Sequence, residues 1–164
     1  MTSPSSRRID RTTYDAIAPD VVAALMSLGR ATDASGLDKQ LTELVKIRAS
    51  QINGCAFCLQ HHLNVARKLG VPASKIDLVA TWAETSLYSA RERAALVWAE
   101  TLTRMSTQPV PEAVYAGLLG QFSTQEVAYL TAAVATINAW NRIAGGLCFA
   151  PPIPVAAPAQ EART

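Results

Sequence analysis

The sequence predicts an all-α fold of about six to seven helices. Strand-like alternation of polar and apolar residues is almost absent. The pattern Ser-x-x-Asp/Glu, the form of a helix capping box or its acidic variant, recurs at Ser74/Asp77, Ser89/Glu92 and Ser123/Glu126. An uncharged run from Val127 to Asn141 carries apolar residues on more than one face, as a helix buried mid-domain or at a subunit interface does.

Residues 1–19 read as an N-terminal arm, with Arg7, Arg8 and Arg11 solvated beside serines and threonines. Helices follow over 20–31, 38–52 and 55–69. Asn53-Gly54 marks the break between the last two, with Asn53 placed to cap a helix starting near Cys55. Gly70 before Val71-Pro72 stops the third helix. Further helices are predicted over 74–85, 89–105, 111–119 and 124–146; Pro111-Glu112 suits a first helical turn. Arg91 and Arg93 around Glu92 read as a solvated helix start, and Trp82, Trp98 and Trp140 as core or interface anchors. Residues 148–164 are rich in proline and alanine and read as a loose tail.

Composition narrows the function classes. A chain of 164 residues suits one domain, here residues 20–147, with enough length to bury a core unaided by disulfides. Net charge is only +2, which gives no footprint for nucleic acid or an acidic membrane face. No apolar run reaches the ~20 residues of a membrane span. The opening residues lack the apolar centre of a secretion signal, so a cytoplasmic, reducing setting is expected. Charged residues make up just 17% of the chain, a thin coverage that predicts self-association. The three cysteines are one C-x-x-C pair, Cys55 and Cys58, plus Cys148, which is no disulfide framework.

The chemistry concentrates in "NGCAFCLQHH", residues 53 to 62. Helical spacing of three and four sets Cys55, Cys58 and His62 on one stripe. Backbone N–H groups at a helix start favour negative charge, so a thiolate is stabilised there. His61 points about 100° away from His62 and reads as a surface residue. If the chain turns back at Asn53-Gly54, Glu43 comes level with His62, being ten residues before Asn53 while His62 is eight after Gly54. Glu43 lies among Leu41, Leu44, Val45 and Ile47, and a buried carboxylate needs a partner. The helix dipole favours Cys55 as the reactive thiol; a base one turn away favours Cys58. Spacing alone does not choose between them; Cys58 is preferred, because deprotonation requires an acceptor within reach. Two plainer readings compete: a zinc clip, which lacks a second ligand pair, and a pair of buried structural cysteines.

Residues 43 to 70, "ELVKIRASQINGCAFCLQHHLNVARKLG", resemble the core of the AhpD-like alkylhydroperoxidases, within the carboxymuconolactone decarboxylase family. The family's redox branch carries E-x11-C-x2-C-x3-H, which falls on Glu43, Cys55, Cys58 and His62. "INAWNRIAGGL", residues 137 to 147, is similar to the family's last core helix, where Asn141 and Arg142 read as helix-packing residues. The resemblance implies an AhpD-like helical fold, a homo-oligomer (trimer or hexamer), and reduction of a hydroperoxide by the thiol pair. In those terms Cys58 attacks, Cys55 resolves to a Cys55–Cys58 disulfide, and His62 with Glu43 relays the proton. No bound cofactor is implied; electrons come from an external thiol such as a dihydrolipoyl group, with a dihydrolipoyl or peroxiredoxin protein as partner. Phe57 departs from the best-known member, which has a further histidine there, and this puts the peroxiredoxin-linked role in doubt. The alternatives are a non-enzymatic redox-sensing or zinc-binding module, and a decarboxylase or other lyase of the kind the wider family contains.

Overall fold

The computed structural model describes residues 8–154, and these are helical, with no strand among them. Eight α-helices run α1 (Arg11–Ile17), α2 (Pro19–Asp33), α3 (Lys39–Asn53), α4 (Ala56–Lys68), α5 (Ala73–Leu78), α6 (Ala90–Thr103), α7 (Glu112–Leu119) and α8 (Thr124–Leu147). The predicted boundaries hold to within a few residues except over 74–85, where α5 gives way to a 3-10 stretch, Val79–Glu84. The expected arm contains an additional helix, α1. It is capped by Asp10, whose carboxylate accepts from the Thr13 N–H at 2.7 Å, and it buries no residue. Two turns of mostly polar sequence carry no apolar period to read.

Helix starts divide by mechanism. At α6 and α8 the full capping box forms: the Ser89 and Ser123 hydroxyls accept from the N–H of Glu92 and Glu126, whose carboxylates accept in return from the serine N–H. The third expected box does not. Pro72 takes the N-cap of α5, which puts Ser74 inside the first turn. Asn53 does not cap α4 either. It is the last residue of α3, and Gly54 follows in the left-handed region (φ 65°), where glycine costs least. The Cys55 N–H then returns to the Ser50 carbonyl at 3.1 Å, closing the helix end.

This two-residue turn folds α4 back along α3, and Gln40 at the far end donates to the Leu69 carbonyl at 2.9 Å. Helix α3 is the hub, packing on α4, α6 and α8. Its inward residues divide among three apolar clusters, Leu41 and Val45 with Trp98, Leu130 and Val134, Leu44 and Ile47 with Ile76, Val79 and Trp82, and Ala49 with Ile137 and Ala144. Glu100 of α6 holds Arg48 of α3 (2.6 Å), the Trp82 indole (2.8 Å) and Arg104 (2.7 Å). Helix α8 is the central helix its uncharged run predicted, with Val127, Leu130, Ala133, Val134, Ile137 and Ala144 buried.

Three readings of the surface change. Arg91 is only partly solvated: its guanidinium lies 3.9 Å from the Phe122 ring, donates to Glu126 at 2.5 Å and reaches the Gln121 carbonyl. Arg93 donates to the carbonyls of Trp82, Ala83 and Thr85 at the end of the 3-10 stretch, the first of which also accepts the Thr85 N–H. Arg8 donates to the Gly146 carbonyl, and Arg11 stacks near two aromatic rings; Arg7 lies outside the described residues. The start of the expected loose tail is docked, with Phe149 buried and the Pro152 carbonyl accepting from Asn64; residues 155–164 lie outside the described residues. No helix among the described residues is long and apolar enough to cross a membrane.

Candidate active site

The α3–α4 turn delivers Cys55 to the N-cap of α4, where its Sγ accepts the Cys58 N–H at 3.3 Å. The two sulfurs stand 2.7 Å apart, both buried and both free thiols. They pack with Ala49 of α3, Ile137 and Ala144 of α8, and Phe149. The pair holds its negative charge unequally. The Cys58 S–H donates to Cys55, and this outweighs burial to pull the Cys55 thiol down to about 6. The same bond locks the proton on Cys58, and burial adds to the effect, so the Cys58 thiol is pushed far up.

One turn on, Glu43 and His62 meet across the hairpin, with Glu43 Oε2 2.7 Å from His62 Nδ1. The carboxylate is 5% exposed. Burial pushes its pKa up, but the hydrogen bond and charge of His62 and the Lys46 ammonium, 2.8 Å from Oε1, outweigh it, and the net pKa is lowered. An Nδ1–H donated to a carboxylate leaves Nε2 of a neutral His62 as a proton acceptor. Helical spacing puts His62 on the same face of α4 as Cys58. The four residues of the spacing pattern are thus brought together, as two pairs.

A pocket of about 360 Å3 opens beside them. Cys58, His62 and Glu43 line it; Cys55 does not. Its walls are mostly apolar, with Leu25 and Met26 of α2 facing Phe57 and Val65 of α4, over Ile137 and Trp140 of α8. Arg11 of α1 sits 5.7 Å from the Phe57 ring and 5.1 Å from the Trp140 ring, while bonding Asp15 through its Nε. Trp140 is therefore a pocket wall, unlike the core tryptophans Trp82 and Trp98. His61 is exposed as predicted, yet it stacks on Phe57, and desolvation followed by the charge of His62 lowers its pKa. Cys148 is exposed, at the C-cap of α8 with φ 57°, and its Sγ lies 3.2 Å from Arg8. Among the described residues, no group of three or more His, Cys, Asp and Glu side chains is placed to hold a metal ion.

Residues 19–101 match the carboxymuconolactone decarboxylase family. The uncharacterized protein YdfG of Bacillus subtilis is 35% identical over 81% of this chain and 90% of its own length. This chain belongs to the carboxymuconolactone decarboxylase family. Its fold is that of the AhpD-like members. A protein of unknown function from Agrobacterium tumefaciens, described as a candidate AhpD antioxidant defence protein, superposes with a TM-score of 0.84 at 34% identity, over 90% of this chain and all of that one. The debrominase Bmp8 shares the fold at a TM-score of 0.74 and 22% identity, over 81% of this chain and 72% of that one.

Three residues of this family member's site escaped sequence reasoning. Lys46 had a signal, since it lies three residues after Glu43 on one helix face. Arg11 had none, because α1 was unseen. Asn141 was read as a packing residue; it lies on the α8 face that meets the cysteines, between Ile137 and Ala144.

Proposed function

We propose that this protein is a thiol-dependent hydroperoxide reductase with an antioxidant role. The observation that carries this reading is that Cys58 faces the pocket, with Cys55 behind it at 2.7 Å and the Glu43–His62 pair on the same wall. The lock on the Cys58 proton holds only while Cys55 is a thiolate; with Cys55 protonated, the Cys58 proton passes to His62 Nε2, and Glu43 stabilises the imidazolium. The Cys58 thiolate attacks the distal peroxide oxygen. The O–O bond breaks, Cys58 becomes a sulfenic acid, and the departing alkoxide takes the proton back from His62 to leave as alcohol. Cys55, whose proton is weakly held, attacks the Cys58 sulfur; hydroxide departs, is protonated to water, and a Cys55–Cys58 disulfide remains. Two electrons have moved from two thiols to one peroxide. An external dithiol, a dihydrolipoyl group in this proposal, returns them by thiol–disulfide exchange.

The apolar pocket, far larger than hydrogen peroxide, favours an organic hydroperoxide. Exposed Ile17, Val21, Met26 and Leu28 on α1 and α2 support self-association into a homo-oligomer. The test is peroxide consumption with dihydrolipoamide as donor. Wild type is expected to turn over cumene hydroperoxide and to accumulate the Cys55–Cys58 disulfide when donor is withheld. Full turnover by Cys58→Ser, or none by wild type with any dithiol offered, overturns the reading.

A further inference from the structure

The face of α8 that meets the thiol pair carries a buried polar side chain. Ile137 and Ala144 of α8 pack on the cysteines, and Asn141 stands between them, four residues after one and three before the other. It therefore projects from the same face. It is 4% exposed. A carboxamide has two N–H donors and one carbonyl acceptor. The carbonyl accepts from Asn53 Nδ2 at 2.9 Å, and the amide donates to the Ser50 hydroxyl at 3.1 Å. Asn53 and Ser50 are themselves fixed, through Ala49 and Lys46 carbonyls at 2.9 and 2.8 Å. Those bonds orient the carboxamide and leave one N–H over. The neighbours on that face are Cys55 and Cys58, and a buried donor beside a sulfur anion is stabilising.

We infer that Asn141 is a positioning residue for the thiol pair, its remaining amide N–H donating to whichever sulfur carries the negative charge. The pull of Asn141 on both thiols is downward, in line with a donor shared by the two. A shared donor suits a reaction in which the charge has to sit first on one sulfur and then on the other. The other charged and titratable groups around the pair are Glu43 and Lys46 on α3, His61 and His62 on α4, Arg11 and Tyr14 on α1, and Arg30 and Asp33 on α2 at the pocket wall. None of them bonds Asn141, so they supply the same field with or without it.

The test concerns the thiols whatever their oxidant, so it stands apart from peroxide turnover. The pH profile of iodoacetamide alkylation is measured on the full-length reduced protein. Asn141→Leu, close in size but without a donor, is expected to lower the acid dissociation constant of the first thiol to ionise by about 3- to 10-fold. Because the reduced state loses its stabilised thiolate, the equilibrium with glutathione should shift toward the disulfide by a similar factor. Ser50→Ala removes one of the two orienting bonds and spares the amide, whose carbonyl Asn53 still holds, so the alkylation profile should move by less than in Asn141→Leu. If Asn141→Leu does not fold, Asn141→Ser, which keeps a donor, is compared with Asn141→Ala; the serine variant should retain the lower-pH profile. An unchanged profile in Asn141→Leu, an equal shift in Ser50→Ala, or identical serine and alanine profiles would overturn the inference.

Discussion

Helices α8 and α4 begin in the same way, with a side chain accepting the N–H three residues on, and for different ends. At α8 the acceptor is the Ser123 hydroxyl, and Glu126 answers it. At α4 the acceptor is the Cys55 sulfur, and the Cys58 side chain meets that sulfur rather than the cap N–H, which goes to Ser50. A serine cap with its box contributes to stability and no more. Sulfur is a weak acceptor when neutral and a much better one as a thiolate, so the α4 cap strengthens as the thiol ionises. The same slot in a helix can hold a fold together or hold a charge ready, and the element in the cap decides which.

The comparison breaks most visibly if Cys55 is made an ordinary cap. Cys55→Ser should leave the helix start intact or slightly firmer, while steady peroxide turnover falls by at least about 100-fold because no disulfide can form. Mass spectrometry should find Cys58 trapped as sulfenic acid, and a disulfide-competent variant would contradict the pairing. Next in size, Glu43→Gln should lower turnover by about 100-fold, within the range of a positioned acid–base pair. The loss should fall on kcat with no loss of thermal stability beyond that of a hydrogen bond. At the structural cap, Ser123→Ala should cost about 1 kcal/mol of stability, read in a urea melt, with the thiol alkylation profile untouched. The smallest effect is a pH slope. Glu43 has a lowered pKa in the folded protein, set by burial against it and by His62 and Lys46 in its favour. Its stabilising contribution is therefore complete above the ordinary carboxylate value of 4.5 and is lost as pH falls through the lower folded value. Glu43→Gln should flatten the acid limb of stability against pH; an equally steep limb in the variant would place that slope on another group.

Much of this was legible in the sequence, because it depends on spacing. Glu43, Cys55, Cys58 and His62 are fixed by two helical repeats and one break, and those leave a period. The two Ser-x-x-Glu boxes were legible for the same reason. Ser74 failed because Pro72 entered the cap first, a competition the pattern does not record. The arm and tail were misread since their contacts are long-range: Arg11 with Phe57 and Trp140, Phe149 with the cysteines. Asn141 was visible as a residue and invisible as a donor, because its orientation comes from Ser50 and Asn53 on another helix. The division of charge between Cys55 and Cys58 depends on a sulfur contact no spacing rule contains.

Gly54 gives the motif a mechanical meaning. It turns the chain with one left-handed residue and meets no neighbour that would resist a side chain. Every residue added to or taken from this corner would turn α4 by about 100° against α3. His62 would swing off Glu43, and Cys58 would leave the pocket for the core or the solvent. The eleven residues between Glu43 and Cys55 are thus a machining tolerance of zero. A substitution at Gly54 strains the hinge and preserves the alignment, whereas a single insertion leaves every reactive group intact and aims none of them.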